Sequence, residues 1–277
     1  MEYCDLHTHS VFSDGTDTPA QILDHAVAMG LKAVALTDHD SVDGLPDFLS
    51  AAEGLPVEAV PGAEFAVVYE GTELHLLGLY IPETAFSEIA QLMHLVQKRR
   101  EDRVHSLVDS LNRAGYVLDF VQLKQSASGQ LTRAHVALAI EEKGYMRAED
   151  AFRTLLKPGN GHYQSPERLG FLQVLELIRD CGAVPVLAHP FLNMSAEQLA
   201  VFLPQAKRLG LVGMECIYSG FDENMTAAAF AMAEEFGLLP SGGSDYHGGI
   251  RQEAKLGNGE QKIPYAFAKT LKHCERE

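Results

Sequence analysis

One repeated pattern constrains this chain more than any other: a helical stretch, a glycine, then a short apolar segment. AQILDHAVAMG leads into LKAVALTDHD, LQVLELIRDCG into AVPVLAHP, AEQLAVFLPQAKRLG into LVGMECIYSG, and NMTAAAFAMAEEFG into LLPSGGSDYHGG. Each first half carries apolar residues at helical spacing and closes on Gly30, Gly182, Gly210 or Gly237. Glycine suits that position because the residue closing a helix often turns left-handed, which costs glycine no steric strain. The starts agree. Thr18-Pro19 and Ser165-Pro166 read as N-caps followed by a proline whose missing amide has no helical partner anyway, and Ser195 with Gln198 reads as a capping box. The segments after the glycines are apolar nearly throughout, as strands covered on both faces are. Helix and strand in alternation predict an α/β fold with parallel strands.

The positions of the polar residues separate an open sheet from a barrel. His7 and His9, Asp38-His39, His189, Glu215, and Asp245 with His247 all lie at or just past the ends of apolar segments. The loops of a barrel share one rim, so side chains from several strand ends converge there. An open sheet offers instead a single crevice at its switch point. A barrel is therefore expected. The middle of the chain departs from the rhythm: EFAVVYE and GTELHLLGLYI pair across a Glu70-Gly71 turn, and a long charged helix runs from Phe86 to about Ala114. The stretch after it holds turns, helical patterns and scattered Lys, Arg and His, but no clean strand-helix unit. These features assign residues 1–87 and 166–277 to the barrel and 88–165 to an inserted, mostly helical subdomain, expected to stand over the rim.

Composition narrows the function. The 277 residues suffice for one or two domains. With 22 basic against 38 acidic side chains the formal charge is -16, which argues against gripping long DNA or RNA and against docking on an anionic membrane. A small anionic ligand still fits wherever a few basic groups or bound cations reverse the sign locally. No run approaches the roughly 20 apolar residues of a membrane span. The opening MEYCDLHTHS lacks the features of a signal peptide, and the four cysteines form no CxxC pair. The expected location is the cytoplasm, with reduced thiols.

The strand-end residues carry the chemistry. On a strand, positions i and i+2 face the same way, so His7 and His9 can meet one cation, whereas Cys4 has the opposite parity. Asp14 lies in an SDG turn, His39 ends TDHD, Glu64 sits in PGAEF, and His75 lies in the next strand. His189 follows in AHP, and Asp245 with His247 in SDYH. Taken singly, each has an ordinary use as a turn former, a packed ring or a surface group. Gathered at one rim they would be costly without partners, and a metal centre supplies the partner. Nine candidate ligands exceed the needs of one four-coordinate zinc, so two ions sharing a carboxylate are the minimum and three are accommodated. Imidazole and carboxylate donors fit Mn, Zn or Fe and not an all-oxygen Ca site. Such a centre suits hydrolysis. No P-loop, GxGxxG or GxSxG signature offers a competing chemistry.

This set closely resembles the PHP family, the phosphoesterases named for polymerase and histidinol phosphatase. The matching motifs are HTHS (7–10), SDG (13–15), TDHD (37–40), PGAEF (61–65), the His75 segment, AHP (188–190) and GSDYH (243–247). The resemblance implies a distorted seven-stranded β/α barrel holding two or three divalent metals, often manganese. It implies that His7, His9, Glu64 and Asp245 bind one ion, with Glu64 bridging to a second held by His75 and His189. Asp14, His39 and His247 would hold the third, and Asp14 stands where some branches have histidine. A hydroxide between the first two ions would attack phosphorus in line.

LTRAHVA (131–137) and KPGNGHY (157–163) make the insert similar to the branch acting on nucleoside 3′,5′-bisphosphates and on short 5′-phosphorylated RNA. The insert then reads as a recognition element. Lys124, Arg133 and Lys157 are candidate contacts for a second phosphate, His135 a candidate substrate contact and general acid, and Tyr163 a candidate base-stacking group. Arg99, Arg100 and Arg103 alternate with Glu101 and Asp102 as a solvated helix face. The expected reaction removes the 3′-phosphate of a nucleoside 3′,5′-bisphosphate, such as pAp to AMP. The alternative is 5′-to-3′ hydrolysis of short 5′-phosphorylated RNA. Histidinol phosphatase ranks lower because the basic insert opposes an amine substrate, and a non-catalytic metal-stabilised subunit ranks lower because the ligand set is intact.

Overall fold

All four glycines that close the repeated helices are left-handed, with φ of 71°, 80°, 111° and 65° at Gly30, Gly182, Gly210 and Gly237. The structure is a computed structural model and describes residues 1–126, 132–157, 159–160, 162, 169–251, 253–259 and 261–274. Its strands are β1 (Tyr3–Asp5), β2 (Ala33–Leu36), β3 (Glu58–Tyr69), β4 (Thr72–Leu79), β5 (Leu169–Gly170), β6 (Val184–Leu187), β7 (Gly213–Tyr218), β8 (Leu239–Gly243) and β9 (Ile263–Pro264). Its α-helices are α1 (Pro19–Ala28), α2 (Leu45–Ala51), α3 (Phe86–Arg113), α4 (Phe120–Ser126), α5 (Arg133–Glu142), α6 (Ala148–Thr154), α7 (Phe171–Asp180), α8 (Ala196–Leu209), α9 (Glu223–Glu235) and α10 (Tyr265–Lys272).

The hydrogen-bonded order is β8-β7-β6-β4-β3-β2-β1. Past the ends of β8 and β1 the sheet curls onto itself. Leu6 donates its amide to Gly242, Asp245 to His7 and His9 to Tyr246, at 3.1, 3.0 and 2.8 Å, around a parallel bridge between Thr8 and Tyr246. The result is a nearly closed α/β barrel of the expected type. Most neighbours are parallel, while β4 runs antiparallel to both β3 and β6. That reversal follows from the hairpin: Glu70 and Gly71 both have positive φ, 48° and 83°, as a two-residue turn between right-twisted strands requires. Two short pairings, β5 on β3 and β9 on β1, have no counterpart in the sequence pattern.

The caps behave as expected at Thr18 and Ser195, where both capping boxes close. Ser165-Pro166 lies outside the described residues, and α7 starts at Phe171 behind Gly170 instead. Small and branched side chains, among them Ala33, Ala35, Val60, Leu77, Val184 and Val186, fill one buried core cluster. Because strands alternate faces, the two-residue spacing of Ala33 with Ala35 and of Val184 with Val186 puts each pair on one side of its strand.

The chain divides into two compact units, Met1–Ala90 with Leu169–Glu277, and Gln91–Arg168. The second is helical and has its own core of Val104, Leu107, Val108, Leu111, Val136 and Ile140. Among the described residues no helix is long and apolar enough to cross a membrane.

Candidate metal centre

The site is built around Glu64. This residue is fully buried on β3, and five imidazoles crowd its two oxygens. His7 Nε2, His9 Nε2 and His39 Nδ1 lie 3.0, 3.2 and 3.0 Å from Oε2, while His75 Nδ1 and His189 Nε2 lie 2.7 and 2.9 Å from Oε1. Asp245 adds a second carboxylate, its Oδ1 3.1 Å from His9 Nε2 and 3.6 Å from His7 Nε2. Asp14 sits beside His247, with its Oδ1 3.2 Å from Nε2, and its Oδ2 lies 3.8 Å from His39. The nine residues that sequence nominated as ligands are thus in one cluster.

Local structure explains how they meet. His7 and His9 lie on the seam segment beyond β1, and their rings sit 5.1 Å apart. His189 and Asp245 follow β6 and β8 in positive-φ conformations, 25° and 55°, that turn each side chain off its strand. Behind the cluster, Asp38 accepts from the Ser10 amide and hydroxyl and the Ser13 hydroxyl, which ties the 10–13 loop to β2. Asp5 accepts from the amides of His7, Ser244 and Gly257 and from the Ser244 hydroxyl, which ties down the other side of the seam.

Four atoms test whether a cation fits. His7 Nε2, His9 Nε2, Glu64 Oε2 and Asp245 Oδ1 are buried without a hydrogen-bond partner among the described residues, yet all lie within 4.8 Å of one another. Ligand bonds of about 2.0–2.2 Å around one ion would space donors roughly 3–4 Å apart. The observed spacing of 3.0–3.6 Å fits that and leaves the atoms otherwise unsatisfied. Two overlapping groups adjoin this one: His9, Asp14, His39 and His247, and His39, Glu64 and His75. The clusters fit one or more divalent metal ions.

Electrostatics agree with that fit. Burial works against a charge on His7, but Glu64, Glu215 and Asp245 override it and hold the imidazolium well above the usual histidine range. Burial likewise opposes charge on His9, and the adjoining Asp245 and Glu64 carboxylates raise it to about 9. Burial would raise Glu64, yet His39, His7 and His75 hold it well below the usual carboxylate range. His39 moves the other way, to about 4, because burial dominates there. The same carboxylates that favour charge on His7 and His9 would favour a divalent cation in their midst.

In the second unit the nominated residues have local partners. Lys124 Nζ pairs with Glu101 at 2.6 Å, and Arg133 lies 5.3 Å over the Phe152 ring and donates to the Leu156 carbonyl. His135 Nδ1 accepts the Thr132 amide as the N3 member of a capping box. Lys157 is exposed. Tyr163 lies outside the described residues.

Three contributors escaped the nominated set. Glu215, placed at a strand end by sequence, is instead inside β7, where it contacts His7 and the His189 amide. Tyr218 donates its hydroxyl to Asp245 Oδ2 at 2.9 Å, and Arg251 donates to the same oxygen at 2.5 Å. Only the short separation of Arg251 from the SDYH motif hinted at its place.

Residues 5–161, more than half of the chain, match the family described as PHP domain. The chain belongs to the PHP family. This PHP protein is 30% identical over 245 residues to a 5′-3′ exoribonuclease of Haemophilus influenzae, covering 88% of this chain and 89% of the relative. It is 29% identical over 252 residues to a 3′,5′-nucleoside bisphosphate phosphatase of Chromobacterium violaceum, covering 89% and 88% of the two chains. A solved structure from Chromobacterium violaceum, described as an amidohydrolase with bound sulfate and no metal, superposes with a TM-score of 0.76 at 26% identity. That match covers 98% of this chain and 96% of the other. The PHP protein is a metal-dependent phosphoric-ester hydrolase that acts on a small phosphorylated substrate.

Proposed function

We propose that this hydrolase cleaves the phosphoester bond at the 3′ oxygen of 5′-phosphorylated nucleotides, with short 5′-phosphorylated RNA as its main substrate and nucleoside 5′-monophosphates as products. The observation that carries the chemistry is the cage of four orphaned donor atoms on His7, His9, Glu64 and Asp245. The substrate assignment is supported by the exoribonuclease relative, whose similarity runs along nearly the whole of both chains. The bisphosphatase relative favours a second reading, removal of the 3′-phosphate from a nucleoside 3′,5′-bisphosphate. Both reactions break the same kind of bond and keep a 5′-phosphate on the product.

In this reading His7, His9, Glu64 and Asp245 hold one ion, Glu64 with His75 and His189 a second, and Asp14, His39 and His247 a third. Manganese is the first candidate, with zinc or iron as alternatives. Divalent cations in such a centre acidify water, screen the charge of the phosphate and stabilise the leaving oxygen. Glu64 and Asp245 supply the negative charge that concentrates cations in an interior of imidazoles. Tyr218 and Arg251 occupy Asp245 Oδ2 and leave Oδ1 turned toward the histidines. Lys124, Arg133 and Lys157 are assigned to the 5′-phosphate, Tyr163 to the base, and His135, through its Nε2, to protonation of the leaving oxygen.

The experiment is product-resolved hydrolysis by manganese-loaded protein of three compounds. They are a 5′-phosphorylated RNA pentamer, the same pentamer with a 5′-hydroxyl, and adenosine 3′,5′-bisphosphate. Stepwise release of monophosphates from the phosphorylated pentamer is expected, with the 5′-hydroxyl pentamer at least about tenfold slower, a difference of about 1.4 kcal/mol. Turnover of the bisphosphate alone would establish the second reading. Equal turnover of both pentamers would overturn the 5′-phosphate assignment.

A further inference from the structure

Glu215 sits where no reacting group would be, behind the cluster and fully buried inside β7. The strand carries an irregular register between Glu215 and Ile217 against β8, and such bulges re-aim side chains. The carboxylate has two distinct tasks. Its Oε1 accepts the Nδ1 proton of His7 at 3.0 Å, and its Oε2 accepts the backbone amide of His189 at 2.6 Å. These two histidines approach opposite oxygens of Glu64, His7 at Oε2 and His189 at Oε1. One buried carboxylate therefore backs two residues that flank another.

We propose that Glu215 is a positioning residue: it fixes the proton of His7 on Nδ1, so that Nε2 faces the metal site, and it holds the backbone that presents His189. A carboxylate can only accept here, so the nitrogen facing it carries a proton, and the opposite nitrogen is the one left to bind a cation. His189 has φ 25° and ψ 60°, a conformation that side-chain-bearing residues rarely adopt, and the short amide contact to Glu215 compensates that strain. Gly243 confirms how close the packing is: a Cβ there would collide with the Cβ of His7 and press on Glu215 Oε1.

An amide cannot replace this carboxylate. The two donors approach different oxygens of Glu215, and the single oxygen of Glu215→Gln can stand at only one of those two positions. If it keeps the fixed His189 amide, its NH₂ faces His7 Nδ1, which must then accept. The His7 proton moves to Nε2, the atom between Glu64 and Asp245, where it competes with a cation. The inference rests on the cation site and is independent of which phosphoester is cleaved.

The test reads the tautomer directly. Long-range ¹H–¹⁵N spectra of the zinc-loaded parent, with His7 assigned by its loss in His7→Asn, are expected to show the His7 proton on Nδ1. Zinc affinity of Glu215→Gln, measured by chelator competition on protein of parental circular dichroism, is expected to fall about 10- to 100-fold. A His7 proton on Nε2 in the loaded parent would overturn the proposal, and so would a Glu215→Gln protein that binds zinc as tightly as the parent. If the variant does not fold, the parent spectrum decides alone.

Discussion

In the barrel unit six of the nominated side chains, His7, His9, Glu64, His189, Asp245 and His247, are buried, whereas in the inserted unit the described ones, Lys124, Arg133, His135 and Lys157, sit on helices and a loop and reach solvent. His7, His9 and Glu64 are all 0% exposed, and among the described residues His7 Nε2, His9 Nε2 and Glu64 Oε2 have no hydrogen-bond partner. Lys124 is exposed and paired with Glu101, and Arg133 is half-buried against Phe152. The difference teaches how much each kind of placement means. A buried polar atom without a hydrogen bond carries a desolvation cost of roughly 1–3 kcal/mol, so four of them converging demand a ligand. A solvated lysine in a surface ion pair is worth about 0–1 kcal/mol and demands nothing.

Removing Glu64 tests the barrel side of this contrast most severely. Glu64→Ala leaves five imidazoles facing one another, and both activity and bound metal are expected to fall by at least about a hundredfold. Elemental analysis beside turnover measures this, and a fully loaded, active variant would break the contrast at its root. Metal loading comes next. At a hundred times the dissociation constant it should stabilise the protein by about 2.7 kcal/mol, with amide exchange slowed at 6–9 and 245–247 but not in α5 or α6. Exchange slowed equally in both units would show that the inserted helices share the cation.

Acid sharpens the same contrast more gently. His9 holds its proton up to about 9 in the metal-free cage, and His7 higher than the ordinary range, so metal uptake must displace protons. Apparent affinity is therefore expected to rise with pH and to fall as pH drops below about 9, by about tenfold per unit for each proton displaced. Calorimetry in buffers of different ionisation enthalpy counts those protons, and uptake without proton release would refute the protonated cage. Arg133→Ala should have the smallest effect. Metal content stays at the parental level while KM for the 5′-phosphorylated pentamer rises a few-fold, with about 0.5–1 kcal/mol of stability lost with the contact to Phe152. An unchanged KM would return Arg133 to a purely structural role.

Much of this was legible in sequence because local chemistry and global fold agree. Gly30 and Gly210 mark helix ends by the backbone they permit, and Thr18 and Ser195 mark starts by the amides they cap. The metal-site residues were legible because each sits in a short recognisable segment, although Glu64 and His75 lie inside β3 and β4 and not at strand ends, since the hairpin carries both strands past the rim. Glu215 was not, since a single acidic residue inside an apolar strand shows no sign of which neighbours it will back. Arg251 was not, because the positive-φ turn at Asp245 brings it to Oδ2. The start of α7 was misplaced because Ser165-Pro166 carries a cap signature, while the observed N-cap, Gly170, makes no side-chain bond.

The seam through Thr8 and Tyr246 joins stretches from opposite ends of the barrel's sequence. Synthesis runs from the N-terminus, so His7 and His9 leave the ribosome long before Asp245 and His247. Until those last residues emerge, the nascent chain has the imidazoles of the cage without its closing carboxylate. The α3–α6 segment, whose core contacts are local, can by then have folded. Closure of the seam thus also completes the donor group of His7, His9, Glu64 and Asp245, and a chain cut short before Asp245 would lack both.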